Sequence, residues 1–138
     1  MARSHTRFCL SVLLLLLLGV RVRTADQILI TAGSNCKYND SGSNLGTASR
    51  AVAFSDASWP TGTAQLGYGD GDEATVISYG GNASNRRITY YFRRSFTVAN
   101  PSTLAALVVR YVRDDGAIIY LNGVEVVRSN MPAGTVTY

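Results

Sequence analysis

The sequence predicts an all-β fold, an antiparallel β-sandwich, and three observations carry this prediction. The composition favours strands and turns, with eight tyrosines and 13 glycines in 138 residues. Residues 87–98 alternate apolar and polar side chains with a period of two, as a half-buried strand does. Asn122-Gly123 joins two β-rich runs, which is the strongest short signal for a hairpin. No segment shows the apolar period of an amphipathic helix.

The first 25 residues predict a secretory signal peptide. A basic start precedes an apolar run at residues 10–20 and a small-residue stretch that ends at Ala25. The run is about half of the roughly 20 residues that span a bilayer, so a signal anchor is the less favoured alternative. Cleavage after residue 25, or after Thr24, would leave residues 26–138 as a partial β-sandwich module. We therefore expect a secreted, extracellular protein with no membrane contact after cleavage.

Removal of the leader changes the charge balance. Four of the 13 basic residues lie in it and none of the nine acidic residues does, so nine of each remain. Because nucleic-acid binding needs clustered positive charge, we predict no nucleic-acid partner. The leader also contains His5, the only histidine, and Cys9. Cys36 is then the single cysteine, which excludes an intrachain disulfide.

The first half of the mature chain predicts short strands between turns rich in glycine, serine and asparagine. Pro60 ends any helix in its neighbourhood. The predicted segments are a strand at 27–31, a loop at 35–47, an extended piece at 51–54, a turn at 55–62, a strand at 65–68, a turn at 69–72, a strand at 75–79 and a polar loop at 80–85.

The second half predicts longer strands. In the strand at residues 87–98, the apolar face is expected to carry Ile88, Phe92 and their neighbours two positions apart. Arg94 falls on that apolar face, so we expect it near the rim or beside an ionic partner. Further strands are predicted at 104–113, 117–121 and 124–128, separated by turns at 100–102, 114–116 and 122–123.

The mature sequence lacks the residues that most hydrolytic chemistry requires. With no histidine after His5, it cannot build a Ser-His-Asp or Cys-His centre or a histidine-bearing metal site. A carboxylate pair of the glycosidase type is the remaining catalytic option. Most of its candidates lie in glycine-rich turns, where aspartate is favoured for turn geometry alone. We predict that this chain is not itself an enzyme.

Three carboxylates, Asp70, Asp72 and Glu73, fall within four residues in a glycine-rich turn. Calcium takes clustered oxygen ligands from flexible loops, so calcium is the one cofactor that the sequence suggests. The spacing is not that of a helix-loop-helix calcium site. A solvated acidic turn is the interpretation that the sequence favours over a calcium site.

Exposed aromatic side chains are the other candidate ligand-binding residues, because they can stack on the apolar faces of sugars. They are Trp59, Tyr68, Tyr79 and Tyr91. For Trp59, a core position that anchors its turn is the favoured interpretation. Asn39 and Asn82 begin N-glycosylation sequons, which a eukaryotic host would use.

Four stretches give a family resemblance: residues 54–59 (FSDASW), 64–72 (AQLGYGDGD), 91–96 (YFRRSF) and 113–126 (RDDGAIIYLNGVEV). Together they resemble a galactose-binding-like jelly-roll module of secreted multidomain proteins, in which it stands beside metallophosphoesterase, glycosidase or other extracellular domains. The resemblance covers residues 29–138. Cys36 stands where family members tend to carry tryptophan, and an aromatic expected near Ser49 is missing.

The resemblance implies that the sandwich is incomplete at the C-terminus, with closing strands after Tyr138 and marginal stability for the fragment. It also frames the function. We expect a non-catalytic extracellular module that binds carbohydrate or acts as a spacer. One alternative is the N-terminal fragment of a secreted, metallophosphoesterase-like hydrolase whose catalytic domain lies beyond residue 138. Another is a structural domain for protein interaction.

Overall fold

A computed structural model describes residues 26–136 and residue 138, and the predicted signal peptide lies outside them. The described chain consists of short strands with two single-turn 3-10 segments, Ala48–Arg50 and Pro101–Thr103. The predicted all-β class is confirmed at this level. No helix in the described part is long and apolar enough to cross a membrane. The strands are β1 (Asn35–Asn39), β2 (Thr61–Thr63), β3 (Leu66–Gly67), β4 (Thr75–Val76), β5 (Tyr91–Arg93), β6 (Ala117–Leu121) and β7 (Val124–Ser129).

The largest sheet has the order β2-β1-β5 and is antiparallel throughout. Lys37 of β1 lies opposite Thr61 on one side and opposite Arg93 on the other. The prediction of a loop over residues 35–47 is therefore wrong for residues 35–39. The segment Asn-Cys-Lys-Tyr-Asn carries no strand pattern of its own. It is a strand because it has a ladder of hydrogen bonds on each edge.

The strand predicted over residues 87–98 contracts to β5, and within β5 the more buried face is the opposite of the predicted one. Tyr91 and Arg93 are half-buried, whereas Phe92 and Ile88 are exposed. Tyr91 faces inward because it lies beside Trp59. Arg93 faces inward because it pairs with Asp56. On the more apolar face, Tyr90 is half-buried beside Tyr68, whereas Ile88 and Phe92 remain exposed.

Glycine at position 62 allows the second, parallel pair of strands to lie against the first sheet. β3 and β4 pair through Leu66 and Thr75, inside the predicted strands at 65–68 and 75–79. A Cβ atom on Gly62 would lie 2.8 Å from Thr75 Cγ2 and 2.9 Å from Leu66 Cδ2. Real Cβ atoms do not approach that closely, so glycine is required there. Ile77, directly after β4, is buried, and its N–H donates to the Gly67 carbonyl at 2.9 Å.

The hairpin of β6 and β7 confirms the Asn-Gly prediction. Asn122 and Gly123 have φ values of 50° and 85°, the left-handed backbone that a two-residue hairpin turn of type I′ requires. The strands pair from Leu121 opposite Val124, with one bulge between Ile119 and Tyr120. A local signal was sufficient here because a tight turn specifies the pairing of its own flanks.

Two other predicted strands and the extended piece predicted at 51–54 are not strands in the described chain. Residues 27–31 have no ladder partner, and Leu29 and Ile30 lie in a bend. Residues 51–54 form a turn after the 3-10 segment, with Ala51 N–H donating to the Ala48 carbonyl and Phe54 N–H to the Ala51 carbonyl, both at 3.1 Å. Residues 104–113 keep strand-like sequence but pair with no described segment. Strand propensity alone does not make a strand without a neighbour.

Candidate functional site

Trp59 anchors the best-packed part of the molecule. Its side chain is only 7% exposed, and its backbone N–H closes a turn on the Asp56 carbonyl at 3.0 Å. The Phe54 ring meets it edge-on at 5.6 Å between centroids, and the Tyr91 ring lies 6.4 Å away. This is the core position that the sequence favours for Trp59. Tyr91 shares the cluster, and its hydroxyl accepts a hydrogen bond from Leu45 N–H at 3.2 Å.

Arg93 ties the central sheet to the turn that carries the tryptophan. Its Nε donates to Asp56 Oδ2 at 3.0 Å, and its guanidinium lies 5.3 Å from the centroid of Phe54. The remaining guanidinium nitrogens donate to the carbonyl oxygens of Ser49 and Ala51. One side chain thus satisfies three acceptors of a loop that has no ladder of its own.

A shallow pocket of about 230 Å³ opens beside Trp59, where the end of β1 passes the turn before β2. The Tyr38 N–H donates to the Pro60 carbonyl at 3.0 Å, which holds the two segments together. The Asp40 side chain is held by the segment after β4, because its Oδ2 accepts a 2.7 Å hydrogen bond from Ser78 N–H. The lining residues are Tyr38, Asn39, Asp40, Ser41, Ser58, Trp59 and Pro60.

The pocket beside Trp59 is lined by hydrogen-bonding side chains, those of Asn39, Asp40 and Ser58. Asn39 Oδ1 accepts from Ser41 N–H at 3.0 Å and from Ser41 Oγ at 2.7 Å. Among residues 26–136 and 138, the second oxygen of Asp40, the amide nitrogen of Asn39 and the hydroxyl of Ser58 make no hydrogen bond with the protein. These groups are available to a ligand that carries neighbouring hydroxyls.

Tyr68 and Tyr79 belong to a second aromatic cluster, which shares no ring contact with Trp59. Their ring centroids are 5.6 Å apart, and Tyr90 lies 6.0 Å from Tyr68. The Arg86 guanidinium is 5.6 Å from the Tyr68 centroid. The Tyr90 hydroxyl is enclosed without a hydrogen-bond partner among the described residues. Burial, with the Tyr68 phenol beside it as a further cause, raises the pKa of Tyr90 well above its usual range.

The structure brings the predicted acidic loop together. Oxygen atoms of Asp70, Asp72 and Glu73 all lie within 4.8 Å of one another. The Glu73 carboxylate accepts from Asp70 N–H at 2.9 Å and from Gly71 N–H at 3.0 Å. These backbone donors, that of Asp70 foremost, lower the pKa of Glu73. Gln65 donates to Asp72 Oδ1 at 3.2 Å, which fixes a second carboxylate.

Cys36 is half-buried in β1 and borders a second open pocket of about 290 Å³. Burial raises the pKa of its thiol, and the positive charge of Arg94 opposes part of that shift. The cations at this pocket already have protein acceptors: Lys37 donates to the Trp59 carbonyl at 2.9 Å, and Arg94 donates to the Asn35 carbonyl. This pocket is therefore the weaker candidate.

The two sequon asparagines lie in different settings. Asn82 is exposed in the predicted polar loop, and its Oδ1 accepts from Ser84 N–H at 2.9 Å. Asn39 is the half-buried last residue of β1 and lines the pocket beside Trp59. Only Asn82 keeps the surroundings predicted for it, a surface loop.

Sequence reasoning found Trp59 and Asn39 but missed the other pocket residues, among them Tyr38, Asp40 and Ser58. Residues 38–41 and 58–60 lie far apart in the sequence. The pairing of β1 with β2 brings them together. Nothing in either stretch alone signals that contact.

Comparisons with family models, curated proteins and solved structures find no match for this chain. The functional argument therefore depends on the geometry and chemistry of the residues described above.

Proposed function

We propose that this chain is a non-catalytic extracellular module of the galactose-binding-like jelly-roll class, and that it binds carbohydrate. The short antiparallel strands and the resemblance of residues 113–126, which contain the hairpin turn, support the class. The leader at residues 1–25 supports an extracellular location. The absence of histidine after His5 supports a binding role over a hydrolytic one.

The pocket beside Trp59 is the observation that carries the carbohydrate proposal. A sugar ring presents an apolar face and a rim of hydroxyls, each of which both donates and accepts hydrogen bonds. The pocket is lined by Tyr38 and the largely buried Trp59, and Asp40 contributes a carboxylate oxygen. The Asn39 amide and the Ser58 hydroxyl add a donor and a second acceptor. Binding clefts commonly combine apolar walls with a few such polar groups.

The size of the pocket favours a single ring. Its volume of about 230 Å³ lies below the range of roughly 300–1,000 Å³ of drug-sized sites. We therefore propose recognition of one terminal sugar rather than of a polysaccharide chain. An exposed platform for longer chains would require aligned aromatic faces, whereas Tyr68 and Tyr79 pack against each other.

Asp40→Asn provides the test of this site, because the amide keeps an oxygen for Ser78 N–H but removes the charge. Hydrogen bonds to charged groups are worth about 1.5–3 kcal/mol, so we expect sugar binding to weaken about tenfold or more. Affinity for immobilised monosaccharides and a glycan array, followed by calorimetry on the best ligand, measures the change. Asp114→Asn, an exposed acid in a different turn, is the control and should bind normally.

Two outcomes would contradict the carbohydrate proposal. One is the absence of any glycan ligand for the folded chain, which would leave the spacer or protein-interaction role. The other is equal loss of affinity in the Asp40 and Asp114 variants, which would place the ligand elsewhere. The hydrolase-fragment alternative has a separate test, the reading frame downstream of the Tyr138 codon.

We also propose that the acidic loop binds calcium. Three carboxylates within 4.8 Å of one another repel each other, and a divalent cation would remove that cost. The backbone donors that lower the pKa of Glu73 keep its carboxylate charged at neutral pH. Asp70 and Asp72 would supply the other oxygens.

Calcium at ten times its Kd should stabilise the chain by about 1.4 kcal/mol, which corresponds to roughly 5 °C in Tm. Asp72→Asn should abolish the shift, because it removes a ligand and its charge, whereas Asp114→Asn should retain it. Thermal unfolding with calcium, with magnesium and with chelator measures the effect. A Tm that does not respond to calcium would leave a solvated acidic turn. The shift should also disappear in acid, as the carboxylates become protonated.

A further inference from the structure

Asn39 and Asn82, which begin the two N-glycosylation sequons, share one local structure. The side-chain Oδ1 of each asparagine accepts a hydrogen bond from the backbone N–H of the serine two residues later, at 3.0 Å from Ser41 and 2.9 Å from Ser84. Neither intervening residue is proline. Both triplets therefore carry the acceptor pattern for an N-linked glycan. Their surroundings in the fold differ, and this difference separates the two sites.

The amide of Asn39 can be modified without loss of the contacts that hold it. Its Oδ1 accepts from the N–H and the Oγ of Ser41, whereas its Nδ2 donates to no atom of residues 26–136 and 138. A glycan replaces one of the two Nδ2 hydrogens and leaves Oδ1 unchanged. The backbone of Asn39 pairs with Tyr91 of β5, and this pairing does not involve the side-chain amide. The folded strand is therefore compatible with a modified Asn39.

We propose that, in a eukaryotic secretory pathway, Asn39 receives an N-linked glycan whose first sugar ring occupies the pocket beside Trp59. The predicted leader at residues 1–25 would deliver the chain to the compartment where such glycans are added. In the transfer, Asn39 Nδ2 forms a bond to C1 of the first sugar as the bond from C1 to the diphosphate of a lipid-linked oligosaccharide breaks. The lipid diphosphate leaves with the bonding electrons, and Nδ2 loses one proton to a base of the host's transferase.

The position of Asn39 brings the first ring to the pocket. Asn39 is half-buried and lines the pocket, and the ring is joined directly to its side chain. The second oxygen of Asp40 and the hydroxyl of Ser58, which have no protein partner among the described residues, can accept hydrogen bonds from the ring. The fit of one ring rests on the proposed function, and the modification regulates that site, because a chain modified at Asn39 blocks its own pocket. Asn82 is exposed and lines neither pocket described above, so its glycan extends into water.

The rate at which each glycan is removed under native conditions tests this occupancy. The chain, expressed with its leader, is secreted from cultured eukaryotic cells and treated with an amidase that cleaves the asparagine–sugar bond and leaves aspartate. Mass spectrometry of the tryptic peptides 38–50 and 51–86 reports the two sites separately. We expect cleavage at Asn39 to be about tenfold slower than at Asn82, because cleavage of a protected site tracks the population of its open form. The two rates should become equal in denaturant.

Substitutions in the turn before β2 separate occupancy of the pocket from crowding at the end of the strand. Ser58→Phe places an aromatic ring at the pocket and should make the Asn39 glycan as easily removed as the Asn82 glycan. Ser55→Phe adds the same ring at an exposed serine that does not line the pocket, and it should leave the difference between the two sites intact. Far-UV circular dichroism checks that both variants fold.

Nuclear Overhauser contacts between the first sugar and the rings of Tyr38 and Trp59 test the same seating in the unsubstituted chain. An unmodified Asn39, equal native cleavage rates, absence of these contacts, or no acceleration in a folded Ser58→Phe chain would overturn the inference. The chain made in the bacterial cytoplasm carries no glycan and tests binding of free sugars. Failure there contradicts the proposed function, whereas protection of the Asn39 glycan is measured without any free ligand.

Discussion

Replacing Trp59 by alanine is expected to remove a large part of the chain's free energy of unfolding. Large-to-small changes of a buried tryptophan cost about 3–5 kcal/mol, and domains of this size are stable by only about 5–15 kcal/mol. Trp59 and Ile77 are the only buried hydrophobic residues in the described chain, so little else can absorb the loss. Phe54 and Tyr91 would face a cavity in place of the indole. Urea unfolding followed by far-UV circular dichroism measures the effect.

Two variants make this result interpretable. Trp59→Phe keeps an aromatic ring against Phe54 and should lose about half as much stability as the alanine variant, by the loss of area alone. Val52→Ala removes an exposed aliphatic side chain and should change the free energy of unfolding by less than about 0.5 kcal/mol. A Trp59→Ala chain with the parent's urea midpoint would show that Trp59 is not the anchor of this fold.

The parts of the fold that the sequence predicted correctly are those that local chemistry determines. Asn122 and Gly123 adopt positive φ and turn the chain back on itself, so β6 and β7 followed from a two-residue signal. Trp59 was recognisable as a possible anchor because its turn needs an apolar side chain. Neither inference required knowledge of a distant neighbour.

The errors arise where a distant partner decides the structure. β1 has a polar sequence and is a strand only because β2 and β5 flank it. The alternation around β5 gave the correct period but the wrong inward face, since Tyr91 and Arg93 have partners inside. A period-two pattern does not state which face will find a neighbour when both carry aromatic or long side chains.

The candidate site was partly predictable for the same reason. Trp59 stood out as the lone tryptophan and the acidic loop as a cluster in sequence, and the structure does bring the three carboxylates together. Asp40 carried no signal, because its role depends on Ser78, 38 residues away. A pocket assembled by strand pairing cannot be read from the stretches that line it.

Arg93 and Arg94 provide the sharpest test of the inward face, because they are neighbours on β5 and its continuation. Arg93→Met keeps the apolar stem over Phe54 but removes the ion pair with Asp56 and the donors to the Ser49 and Ala51 carbonyls. We expect a loss of about 2 kcal/mol, because hydrogen bonds to a charged group contribute about 1.5–3 kcal/mol and the site is partly open to solvent.

Arg94→Met is the matched control, since it removes the same charge from an exposed side chain that donates to one carbonyl, and it should cost less than about 0.5 kcal/mol. Asp56→Asn, alone and combined with Arg93→Met, completes a double-mutant cycle, and we expect a coupling energy of about 1 kcal/mol. Equal losses in the two arginine variants would contradict the inward position of Arg93, and a larger loss at Arg94 would support the face predicted from alternation. Unequal losses with no coupling to Asp56 would assign the stabilisation to the loop carbonyls. The observed packing requires both a larger loss at Arg93 and a measurable coupling.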